Sequence, residues 1–271
     1  MSLPNGSMAC IIIVMIAGIA IPVALLLVLK KVTGGSYKAF FWGCFIMFLF
    51  AMTLESIIHQ FVYSTDFGQK IWNNALWYAI YGGLMAGIFE ETGRFIAFKY
   101  PLKKQWDKDA NALTYAAGHG GFEMFNILFF GMLNNITYAT VMKYPDKMAE
   151  VFEKATAEQA VQIQQVYDTL ATTPEWMYLL AIVERCGALI LHFGLSVLVW
   201  FAVKKGKKKF YLFPLAILLH AFVDGGMTLV NKLTGSIAIT EIYIWVLAIA
   251  VGAFSFMIWK KEATKESVPK S

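Results

Sequence analysis

Long apolar runs separated by short polar and charged clusters mark this chain from end to end. Runs able to cross a hydrocarbon layer of roughly 30 Å extend over Met8 to Leu29, Phe40 to Tyr63, Trp72 to Phe98, Ala110 to Met142, Trp176 to Val203, Phe210 to Val230 and Ile237 to Trp259. The pattern predicts an all-α fold, a polytopic transmembrane helical bundle of about seven helices. It reads as a single integral membrane domain over residues 1–271, with a core over 72–231. The stretch 143–175 departs from the pattern. Its mixed charges and its apolar positions Val151, Phe152, Val161, Ile163 and Val166 predict an amphipathic helix on or over the outer face. The tail 261–271 reads as disordered.

Charge orients these helices, because loops near cytoplasmic helix ends carry the excess of lysine and arginine. Sixteen of the 23 basic residues follow the first, third, fifth and seventh runs. The alternation predicts an N-terminus outside and a C-terminus in the cytoplasm. Positive charges follow the first run rather than precede it, which predicts an uncleaved span instead of a signal peptide. Composition agrees: 58% of residues are hydrophobic, 15% are charged and the mean hydropathy is +0.58. A multi-pass protein of the plasma membrane is expected, with the lipid bilayer as its partner. The net charge of +5 lies in the loops and does not imply nucleic-acid binding. Cys10, Cys44 and Cys186 are odd in number and sit in apolar runs, which predicts packing thiols rather than a disulfide framework or a cysteine zinc site.

Ionisable residues inside the apolar runs change the picture from a spanning protein to a chemical one, since burying them is costly. At 1.5 Å per helical residue, counting from the nearest lysine-rich loop, Glu90 lies about 14 Å in, His119 and His220 about 16 Å and His192 about 18 Å. Four helices thus deliver ionisable groups to one level. Spacings of three and four place residues on one helical face. They join Glu90 and Glu91 to Arg94, His119 to Glu123, and His220 to Asp224. Arg94 is expected to hold the two acids. Glu184 and Arg185 lie further out, with Arg185 sharing the face of His192 as a supporting residue, and Glu55 with His59 reads as a local pair away from the site.

The segment Glu90-Glu91-Thr92-Gly93-Arg94, the Tyr115 to His119 spacing and the His220 to Asp224 spacing resemble the three motifs of the CPBP superfamily of type II CAAX proteases and bacteriocin-processing enzymes, related to the PrsW proteases. The string Gly118-His119-Gly120-Gly121-Phe122-Glu123, with Glu184-Arg185 followed by His192, is most similar to the YhfC-type intramembrane metalloproteases. The superfamily's second motif usually begins with Phe where this chain has Tyr115, and its last motif often ends in Asn where this chain has Asp224. The resemblance implies a peptidase acting on a membrane protein or a membrane-associated peptide.

Two mechanisms fit the residues. In one, Glu90 is the general base beside Glu91, and His119 or His220 stabilises the oxyanion. In the other, His119, His192 and His220 hold Zn²⁺, and Glu90 or Glu91 is the base. The catalytic set is then Glu90, Glu91, His119, His220 and Asp224, supported by Arg94, Glu123 and Arg185. Buried carboxylates and histidines also suit an ion- or proton-coupled transporter, or a non-catalytic immunity or binding protein on the same fold. No inverted repeat of the transporter kind is visible in the sequence.

Overall fold

Each apolar run folds as helix in the computed structural model, which describes residues 2–263; no strand occurs among them. The helices are α1 (Ser7–Thr33), α2 (Tyr37–Tyr63), α3 (Asp66–Trp72), α4 (Ala75–Lys99), α5 (Ala110–Phe125) and α6 (Gly131–Met142). They continue as α7 (Pro145–Lys154), α8 (Ala157–Thr172), α9 (Glu175–Lys205), α10 (Leu212–Thr234) and α11 (Ile237–Glu262). By length and composition α1, α2, α9, α10 and α11 can cross a membrane. The two other predicted spans, α4 and the 110–142 stretch, are helical but less apolar, because α4 carries Glu90, Glu91 and Arg94 and α5 carries His119 and Glu123.

Local chemistry sets the helix ends. Ser36, Thr65, Asn74 and Ser236 each accept a backbone N–H at the start of α2, α3, α4 and α11, which satisfies one of the orphan donors of a first turn. Gly235, with φ of +60°, closes α10 by donating to the Asn231 carbonyl at 2.8 Å, a left-handed cap that glycine adopts without penalty. Two π-helical stretches, Met47–Glu55 and Asn126–Phe130, interrupt the α geometry. Such wide turns shift the face that the following residues present, and periodicity alone did not reveal them.

The chain divides into two compact units, residues 1–21 with 124–185 and residues 22–123 with 186–271. In the first, the predicted amphipathic segment is two helices rather than one. Ala155 leaves the helical region, and a capping box between Thr156 and Gln159 starts α8 afresh. Tyr167 is fully buried there, with its ring 5.8 Å from Tyr138 and 6.0 Å from Phe152. Lys261 and Glu262 close α11, so these two residues of the predicted tail are helical; its remainder, 264–271, lies outside the described residues.

The second unit holds the core that carries the ionisable residues. A β-carbon on Gly87 would stand 2.6 Å from the Ile217 carbonyl oxygen, so glycine is what lets α4 and α10 lie backbone to backbone. Phe98 meets Tyr115 at 4.5 Å and Trp200 at 5.1 Å between ring centroids. Trp200 donates from its indole to the buried Asp109 at 2.7 Å, and Lys204 pairs with the same carboxylate. These contacts pin the ends of α4, α5 and α9, which fixes the register of the residues one to three turns further in.

Candidate functional site

Glu90, Glu91 and Arg94 project from α4, His119 from α5, His192 from α9 and His220 from α10, and all six are buried. Glu90 is the hub. Its Oε2 is 2.9 Å from His119 Nε2, 3.5 Å from Arg94 Nη2 and 3.9 Å from His192 Nδ1, while its Oε1 is 3.8 Å from His220 Nε2. The four residues that depth counting placed at one level therefore meet. The glutamates, Arg94 and the histidines of the expected catalytic and supporting set lie here, with Glu123 and Asp224 at the edge, where their side chains are 19% and 36% exposed.

Hydrogen bonds order the cluster into two chains. Arg94 donates to His192 Nδ1, which leaves His192 Nε2–H to donate to Glu123 at 2.5 Å. Arg94 also pairs with Glu91, which accepts from His220 Nδ1 at 2.6 Å, while His220 Nε2 faces Asp224 at 3.2 Å. A neutral imidazole carries a single N–H, so satisfying both of those carboxylates requires a second proton on the ring or on an acid. His119 has Tyr115 Oη 3.5 Å from Nδ1 on the side away from Glu90. The Glu91 Oε2 and Arg94 Nε atoms are buried without a hydrogen-bond partner, and buried polar atoms left open in this way mark a place for a further group.

Donor atoms of Glu90, His119 and His192 all lie within 4.8 Å of one another. A carboxylate and two imidazoles form one of the donor sets of catalytic zinc, and each ring has an oxygen partner beyond it, Tyr115 for His119 and Glu123 for His192, as outer-shell support requires. The residues thus fit a divalent metal. Where the sequence suggested three histidines, the converging set contains Glu90 in place of His220, whose two nitrogens are taken up by Glu91 and Asp224. A cation at this set would displace the contact between Arg94 and His192, leaving Arg94 to Glu91.

The other predicted polar residues form local pairs. Glu55 and His59 pair at 3.1 Å, and Tyr81 Oη is 3.0 Å from the second nitrogen of His59. Arg185 pairs with Glu184 in the other compact unit. The three cysteines are free thiols. Sequence reasoning missed the Asp109, Trp200 and Lys204 anchor, although an acid just before a long apolar run was a visible signal for it.

Gly120 faces His192, and a β-carbon there would come 2.8 Å from His192 Cδ2. Gly120→Ala is expected to turn the ring away from Glu123 and Arg94 with the fold intact, weakening metal retention by about 10- to 100-fold. Metal titration of the purified variant checks this; wild-type affinity would show that the ring's position is not critical.

A buried carboxylate and histidine cluster carried on helices of a multi-pass membrane protein defines the class: a membrane protein with a candidate intramembrane metal site. The chain belongs to the YhfC intramembrane metalloprotease family, whose profile matches residues 17–244. It is similar to the uncharacterized membrane protein YhfC of Bacillus subtilis (strain 168), with 34% identity over 207 residues, covering 75% of this chain and 77% of that protein. No solved structure matches it significantly.

Proposed function

We propose that this protein hydrolyses a peptide bond of a membrane protein or membrane-associated peptide, with Glu90, His119 and His192 holding a zinc ion. The observation that carries this reading is the convergence of those three buried side chains within 4.8 Å, and the description of the family supports it. Bound there, zinc would supply Lewis acidity to polarise the scissile carbonyl. Glu91 has Oε1 held by Arg94 and His220 and Oε2 without a partner, so Oε2 accepts a proton from the attacking water and passes it to the leaving amine. Asp224 orients His220, and Glu123 orients His192. The seven-span arrangement, with the N-terminus outside in the plasma membrane, and the wider relation to the CPBP and PrsW proteases belong to the same proposal.

A second reading is favoured by Arg94, which lies 2.5 Å from His192 Nδ1 and 3.5 Å from Glu90 and so supplies a resident cation to the same donors. In that reading Glu90 is the base and an imidazole stabilises the oxyanion. Elemental mass spectrometry of the purified protein separates the two. About one zinc per chain, lost when His119 and His192 are both replaced by Ala in a folded variant, is the expected result. A wild-type protein that stays metal-free after zinc is supplied leaves the metal-free reading.

A further inference from the structure

At the lysine-rich end of the second unit, α4, α9 and the connecting segments that follow each of them line a pocket of about 470 Å³. Its rim carries Lys99, Lys103 and Lys207, its floor is built from Phe95, Trp106 and Phe210, and among the described residues no carboxylate lines it. Three neighbouring lysines already have carboxylate partners: Lys204 pairs with Asp109, and Lys205 and Lys209 share Glu262. Among the described residues the three rim lysines have no carboxylate partner. Lys99 instead lies over the rings of Phe95 and Tyr100, 5.3 and 5.5 Å from their centroids. Trp106 is fixed in that floor by donating to the Phe98 carbonyl at 2.9 Å.

A cationic rim over an aromatic floor, at the end of membrane-crossing helices, matches an amphiphilic anion. A soluble phosphate would engage the rim and leave the aromatic floor wet, whereas a neutral lipid would cover the floor and leave three ammonium groups unpaired. We propose that this pocket binds an anionic phospholipid, with its headgroup phosphate against Lys99, Lys103 and Lys207 and the first part of an acyl chain against Phe95 and Phe210. Phe95 directly follows Arg94 on α4, so the bound lipid and the buried cluster share one helix.

The test uses the full chain in phosphatidylcholine nanodiscs doped with phosphatidylglycerol or phosphatidylcholine brominated on the acyl chain. Quenching at the site is taken as the difference between wild type and Trp106→Phe. Each lysine near a phosphate contributes about fivefold, so a preference of about a hundredfold for the anionic lipid is expected. It should vanish in a Lys99→Gln, Lys103→Gln, Lys207→Gln triple variant and fall about fivefold in Lys207→Gln alone, whose position in an exposed turn does not endanger folding. A triple variant of equal charge elsewhere, Lys208→Gln, Lys260→Gln, Lys261→Gln, should keep it. Equal loss in that control, absence of any preference in wild type, or full competition by millimolar inorganic phosphate would each overturn the assignment.

Discussion

Glu90→Gln is expected to abolish both metal retention and hydrolysis, whereas Glu91→Gln is expected to keep the metal and lose hydrolysis by about 10³-fold. The two substitutions are nearly isosteric and sit one residue apart on α4, so a difference between them reports chemistry rather than folding. Glu90 lies among the donors that converge with His119 and His192, and a neutral amide there removes the negative charge that a divalent ion requires. Glu91 lies outside that set and offers the open Oε2, so its amide keeps the site's shape but takes up no proton. Zinc content gives one readout. New membrane-protein N-termini in cells producing each variant, counted by peptide mass spectrometry, give the other. Hydrolysis at wild-type level in Glu90→Gln would falsify the proposed site, and pH-dependent solute movement without new termini would favour the transporter reading.

Arg94→Met should be the most destabilising single substitution in the cluster, lowering stability by about 3–5 kcal/mol. Arg94 and Glu91 are both fully buried, and removing the guanidinium leaves Glu91 without its cation and His192 without a donor at Nδ1. Arg94→Lys keeps the charge but not the fork, so it should recover only part of the loss. Thermal unfolding in detergent with and without zinc measures both. Zinc should restore stability to Arg94→Met if a divalent ion can take over the Glu90 and His192 contacts. Unchanged unfolding of Arg94→Met without added metal would show that the acids are protonated or solvated and that the pair is not a structural anchor.

Much of this architecture was legible because a bilayer imposes length and apolarity on whatever crosses it. The runs from Met8, Phe40, Trp176, Phe210 and Ile237 all became helices of the expected extent. The depth count brought Glu90, His119, His192 and His220 to one level because helical rise is nearly constant, and the distances around Glu90 bear out their meeting. The break at Ala155 was missed because apolar positions on both sides keep a helical period. The π-helical stretches were missed because they depend on how a turn packs, not on which residues it contains.

The amino-acid sequence by itself determined the all-helical membrane class, the approximate ends of the helices and the identity of the buried ionisable residues, since these follow from hydropathy, rise per residue and the cost of burial. Only the tertiary structure decided which donors converge. Depth along a helix axis says nothing about rotation around it, and rotation turns His192 towards Arg94 and Glu123 and His220 towards Glu91 and Asp224. That rotation depends on close backbone approach at Gly87, on the space Gly120 leaves for His192, and on the anchoring of α9 through Trp200 and Asp109. These long-range contacts have no period in the chain.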